Sequence, residues 1–344
     1  MAPTIRHVTP VDPRTAEGLV AEVYRQAAAG LGIPAGPPFL MLSPAPELLA
    51  PMWALLRESL LVGGPAERTA KEVVATTIAV KNDCRFCADA HTVMLHAAGE
   101  HDLAEAVREG RPPSEYAALA AWAAAPGPEG PFSADAAPRF IGTALVFEFI
   151  TRLLKVLARN VSPHRATATK LGRTVASRQV RAAVAADLEP GLSLALLERR
   201  EPWLEELWPT LDLTVPAWAG DSPVGRAYAR LRAVATCGRG LLNEHAAQSV
   251  ERSIARSVRR WGSRPASGPV EIEGIDDLPD RAALGARLAA SAALAPELID
   301  DDAVAVWRAG SLSDHCTVFV LGYAVMHAVD LLQTNPTEMR SLDA

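Results

Sequence analysis

Apolar residues recur at three- and four-residue spacing in almost every segment between the Pro and Gly punctuation marks of this chain. Alternating β-branched runs of four or more residues are nearly absent, and Ala is abundant. Helical spacing without strand-like alternation leaves an all-α fold as the expectation. Helices are predicted near 15–30, 45–62, 67–81, 84–98, 102–109, 113–124, 139–159, 168–188, 223–261, 279–294, 300–309 and 313–333. Three stretches dense in Pro, Gly and Asp interrupt the pattern as loops, at 126–138, 209–223 and 262–279. The first divides the chain into an expected redox core, 1–125, and a second helical half, 126–344. "LHAAGEHDLAEAV" and "VWRAGSLSDHCTV" share a helix–Gly–helix pattern, so the second half is a candidate degenerate repeat of the first.

A chain of 344 residues with 49% hydrophobic and 22% charged residues can bury a large core without staples. Its formal net charge of −6 offers no basic surplus for nucleic acid or an anionic membrane, so small molecules and proteins are the expected partners. The start "MAPTIRHVTPVDPRT" lacks a basic then apolar leader, and the most apolar segments, 141–150 and 316–332, carry Glu148, His327 and Asp330. A cytoplasmic protein with buried apolar helices, and no membrane partner, is expected.

The chemistry concentrates in "KEVVATTIAVKNDCRFCADAHTVMLH", residues 71–96. Asn82 and Asp83 are candidate N-caps, so a helix is predicted to begin at Cys84. At about 100° per residue, Cys84, Cys87 and His91 fall near 0°, 300° and 340°, on one narrow face. A helix start favours thiolate over thiol. Glu72 sits on the preceding apolar helix, and if the two helices fold back antiparallel it meets His91. A Glu–His–Cys proton relay is then feasible.

Three readings of the cysteine pair compete. Two small core residues are the plainest. A zinc site of Cys84, Cys87, His91 and His96 is chemically acceptable, but His96 lies about 120–140° around the helix from the other three, which disfavours it. A redox pair able to close a disulfide across one turn fits the spacing best. Cys237, Cys316, His245 and Glu244 read as structural or solvated, and Trp203, Trp208 and Trp218 as packing residues. "CGRGLL" at 237–242 lies in a helical pattern with the wrong spacing for a dinucleotide turn, so no bound cofactor is expected.

Glu72, Cys84, Cys87 and His91 in the order E(x)11CxxCxxxH, with "LSPAPELLAPMWALLRESLL" before and "ADAHTVMLHAAG" after, resemble the alkylhydroperoxidase D-like branch of the carboxymuconolactone decarboxylase superfamily. The resemblance covers about residues 10 to 160. It implies an all-helical homo-oligomer in which Cys87 attacks a hydroperoxide, Cys84 resolves the sulfenic acid as a disulfide, and Glu72 with His91 relays the proton. It also implies an external reductant, a dihydrolipoyl group or another small dithiol. The founding peroxidases carry a histidine between the two cysteines, where this chain has Arg85 and Phe86. Two other readings stay open: a non-catalytic redox switch or interaction protein of the same fold, and a biosynthetic or decarboxylase-like member.

Overall fold

The computed structural model describes residues 4–159, 167, 169–199, 202–264, 266 and 268–334. The fold is all-α, as the spacing predicts. The first helices are α1 (Gly18–Leu31), α2 (Pro37–Leu40), α3 (Pro46–Leu56), α4 (Pro65–Lys81), α5 (Arg85–Ala97), α6 (His101–Arg108), α7 (Ser114–Ala124) and α8 (Ala137–Leu157). Then come α9 (Lys170–Val184), α10 (Pro202–Leu207), α11 (Pro223–Thr236), α12 (Glu244–Trp261), α13 (Asp280–Leu294), α14 (Asp301–Arg308) and α15 (Asp314–Leu332). Extended pairing among the described residues is a two-residue antiparallel ladder, Thr4 opposite Arg159 and Ile5 opposite Ala158, which ties the N-terminal segment to the end of α8.

α4 and α5 form a tight hairpin, and α7 and α8 pack against α4 while α9 and α6 pack against α5. α3 rests on α11, and α8 on α15, so one apolar core runs from Val8 to Leu332 without a break at residue 126. The aromatic side chains of Trp53, Phe147, Phe149 and Tyr228 sit fully inside it. α15 is the one described helix long and apolar enough to cross a membrane, but 78% of its most apolar window is buried in this core.

Two local expectations need correction. The predicted helix 223–261 is broken into α11 and α12 by a 3₁₀ turn, Cys237–Leu241. Gly238 sits against the backbone of α15: a Cβ there would lie 2.1 Å from the Phe319 carbonyl oxygen, so the close approach demands glycine. α12 restarts at Asn243, whose side chain accepts from the Ala246 N–H. Asn82 and Asp83 do not cap α5. Asn82 ends α4 and points inward, donating from Nδ2 to Glu148 Oε2 (3.0 Å) and Thr151 Oγ1 (2.9 Å), while Asp83 adopts φ 49° to reverse the chain. Cys84 itself takes the N-cap position, with no side-chain cap bond.

Candidate active site

The hairpin is held from below by a buried charge cluster on α8. Lys81, the last residue of α4, and Arg152 both pair with Glu148, and Lys81 Nζ also donates to Ser263 Oγ at 2.6 Å. Burial alone would raise the Glu148 carboxyl, but the two cations outweigh it and hold it well below its ordinary value. The same carboxylate accepts from Asn82, so the turn that presents Cys84 is anchored through Glu148. Every buried charge here has a partner, as interior charges require.

On the hairpin, Glu72 and His91 meet across the turn, with His91 Nδ1 2.6 Å from Glu72 Oε2. Glu72 is fully buried, and its other oxygen accepts from Arg68 Nε at 2.7 Å, one helical turn earlier on α4. Burial pushes the Glu72 carboxyl up, but Arg68 and His91 together prevail and bring it below its ordinary value, so it is a carboxylate at neutral pH. A carboxylate at Nδ1 takes the Nδ1–H, which leaves Nε2 as the acceptor nitrogen. The imidazole is also steadied edge-on by Phe147 of α8, ring centroids 4.6 Å apart.

Cys84 and Cys87 are free, buried and in direct interaction with each other. Here the expected thiolate gives way: burial first, and the neighbouring Cys84 second, push the Cys87 thiol well above its usual value. The position at the third residue of α5 does not overcome desolvation. Cys87 therefore rests as a thiol and needs a base to become a nucleophile. The base is at hand one turn along α5. Cys87 and His91 line the same small cavity, about 70 Å³, whose other walls are apolar side chains from α2, α3, α5 and α8, among them Phe39, Leu56, Phe147 and Ile150. Leu60, from a wide π turn (Arg57–Leu61) after α3, closes one side.

His96, weighed as a fourth zinc ligand, lies in a different network. It is buried, with Nε2 2.8 Å from Glu105 Oε1 and Nδ1 2.8 Å from His101 Nδ1, and Glu105 continues to Arg173 of α9 at 3.0 Å. Burial lowers the His96 pKa and keeps the ring neutral, so it donates to Glu105 and accepts from His101. Cys237 and Cys316 are far along the chain, half-buried, against the Ala233 carbonyl and the Ser313 hydroxyl. Glu244 is exposed and paired with Arg239, and His245 is exposed. Trp203 packs on His315 and Phe319, Trp218 on Tyr228, and Trp208 under the Arg230 guanidinium.

Sequence reasoning overlooked Arg68, although its place four residues before Glu72 on one helix face was a readable signal. It also overlooked Phe147 and Leu60, which reach the cavity from distant segments and carry no local signal.

A Mycobacterium tuberculosis protein named "Alkyl hydroperoxide reductase Rv2159c" is 35% identical to this chain, over 96% of this chain and 94% of that protein. No protein-family model matches the chain. No solved structure matches it.

Proposed function

The chain belongs to the same family as the mycobacterial alkyl hydroperoxide reductase, and from that premise we propose that it is a thiol peroxidase of the alkylhydroperoxidase D-like kind, acting on small organic hydroperoxides. The observation that carries this reading is the buried Glu72–His91 pair opening onto the cavity that also holds Cys87. A thiol that burial keeps protonated needs an adjacent general base to become a nucleophile, and the oriented imidazole supplies one.

In the proposed cycle His91 Nε2 takes the Cys87 proton while Glu72 stabilises the imidazolium. The Cys87 sulfur attacks the terminal oxygen of the hydroperoxide, the O–O bond breaks, and the departing alkoxide takes the proton from His91 to leave as an alcohol. Cys87 is now a sulfenic acid. The Cys84 thiol condenses with it, forming the disulfide and releasing water. A dithiol from outside, of the dihydrolipoyl kind, then reduces the disulfide in two electrons. A reducing cytoplasmic setting and a homo-oligomeric assembly belong to this proposal. The apolar walls and small volume favour a short alkyl or aryl hydroperoxide over a charged or bulky one.

Single turnover with cumene hydroperoxide tests the roles. Cys84→Ser is expected to react once and stop at a sulfenic acid that dimedone traps, while Cys87→Ser loses the fast phase. Retention of the fast phase by Cys87→Ser and its loss in Cys84→Ser would reverse the assignment. A wild-type rate no greater than that of free cysteine would end the peroxidase reading.

A further inference from the structure

Cys84 does not line the cavity that Cys87 and His91 share. It faces a second, larger cleft of about 320 Å³, bordered by Asp83, Arg85, Lys155 and Glu297. Among the described residues only Phe86 lines both spaces. The two thiols interact with each other, yet each lines a different space.

We propose that the hydroperoxide and the reductant use separate entrances: the hydroperoxide reaches Cys87 through the apolar cavity, and a polar thiol reaches Cys84 through the charged cleft, with Phe86 as the partition. The inference rests on the peroxidase reading for its oxidative half only.

Three physical reasons support it. Thiol–disulfide exchange runs nearly in line, so a thiolate attacking Cys84 approaches from the side away from Cys87, and that side is the cleft. The attacking thiolate is an anion. In the apolar cavity it would be stripped of water, whereas the cleft is open and polar, with Arg85 and Asp83 on its border beside a Lys155–Glu297 ion pair (3.5 Å), so the thiolate keeps its hydration there. Third, the cavity is the smaller space, about 70 Å³ against about 320 Å³, and its walls are apolar, so a dithiol carried on a polar arm is better received by the cleft.

The step balances as follows. The donor sulfur forms a bond to Cys84 Sγ, the Cys84–Cys87 bond breaks, and Cys87 leaves with the electron pair. It is protonated through His91 Nε2, which first takes up the proton that the donor thiol released to water, and this suits a sulfur that burial holds as a thiol. The second donor sulfur attacks the first, releases Cys84 as a thiolate that is then protonated, and departs as the donor's disulfide. The donor loses two electrons and two protons, and the protein gains both.

The test uses the full-length protein, with its disulfide formed by diamide rather than peroxide. Substoichiometric glutathione is added, the mixture is quenched in acid, and free thiols are alkylated. Arg85 lies between the two cysteines, so trypsin separates them. Glutathione is expected on the Cys84 peptide; glutathione on the Cys87 peptide overturns the proposal. A second arm fills the cleft from its rim with Lys155→Trp or Glu297→Trp, and narrows the cavity with Ala90→Leu. The cleft variants should lower the ratio of disulfide reduction by dithiothreitol to oxidation by cumene hydroperoxide at least fivefold, and Ala90→Leu should raise it. Equal slowing of both half-reactions in every variant refutes separate entrances. Because diamide supplies the disulfide, a protein that ignores hydroperoxides would lose the peroxidase reading while the entry side of the thiol is still decided by the peptide map.

Discussion

Glu72 is where stability and chemistry meet in one side chain. It is buried between Arg68 and His91, and its carboxylate form is favoured because those two partners outweigh the cost of burial. Glu72→Gln keeps the shape but leaves the Arg68 guanidinium buried without its countercharge, a change that typically costs about 3–5 kcal/mol. The sign with pH follows from the depressed pKa. The carboxylate contributes its full stability above the ordinary value of 4.5 and loses it as pH falls from there through the lower folded value. Urea unfolding of wild type and Glu72→Gln should therefore differ most at pH 7 and converge in acid; a constant gap down to pH 3 would show that the charge is not what Glu72 contributes. The same variant should slow Cys87 oxidation at neutral pH and regain part of the rate in alkali, where hydroxide replaces the base. At this scale the placement of the candidate residues was largely readable. Glu72, Cys84, Cys87 and His91 all sit within twenty residues at helical spacings, and their meeting needs only one hairpin. The direction of the Cys87 shift was not readable, because it depends on how deeply the surrounding helices bury it.

At the scale of elements, the break between α11 and α12 is set by what packs on it rather than by its own preference. Gly238 and Gly240 both stand in the 3₁₀ turn, but only Gly238 abuts α15, where a methyl group would meet the Phe319 carbonyl carbon at 2.6 Å as well as its oxygen. Nothing lies within 4 Å of a Cβ at Gly240. Gly238→Ala should destabilise by about 1–3 kcal/mol, the usual range for overpacking, and Gly240→Ala by no more than about 0.5 kcal/mol. The urea midpoints of the two variants decide it, and equal midpoints would mean that α15 yields to the added methyl. Periodicity found the helices on both sides of the turn but ran them together, since a 3₁₀ turn preserves enough apolar spacing to mimic one helix. Asn82 misled for a related reason: its amide is as good a partner for buried Glu148 and Thr151 as for a helix start.

For the whole molecule, the decisive feature is the core shared by α3 with α11 and α8 with α15. α8 supplies Phe147 and Ile150 to the cavity and Glu148 to the cysteine turn, so the α4–α5 hairpin depends on a helix that follows the 126–136 loop. We expect one cooperative transition in urea, with tryptophan fluorescence, helical circular dichroism and reactivity of Cys84 and Cys87 changing together. Two separated transitions would show the halves to be independent units, with the boundary near residue 126 expected from the loop composition.

The helical class, most of the longer helices within a few residues, and the face shared by Cys84, Cys87 and His91 followed from the sequence alone, because they depend on local spacing and backbone preference; the short α2 and α10 and the break between α11 and α12 did not. Tertiary structure decided what those residues can do. Phe147, Leu60 and Phe39 converge from three helical segments to make the space beside Cys87 apolar, while Lys155 and Glu297 reach the other side of Phe86 to make the space beside Cys84 charged. Desolvation, cavity shape and the separation of an apolar space from a charged one are properties of atoms brought together from distant parts of the chain, and no run of neighbouring residues encodes them.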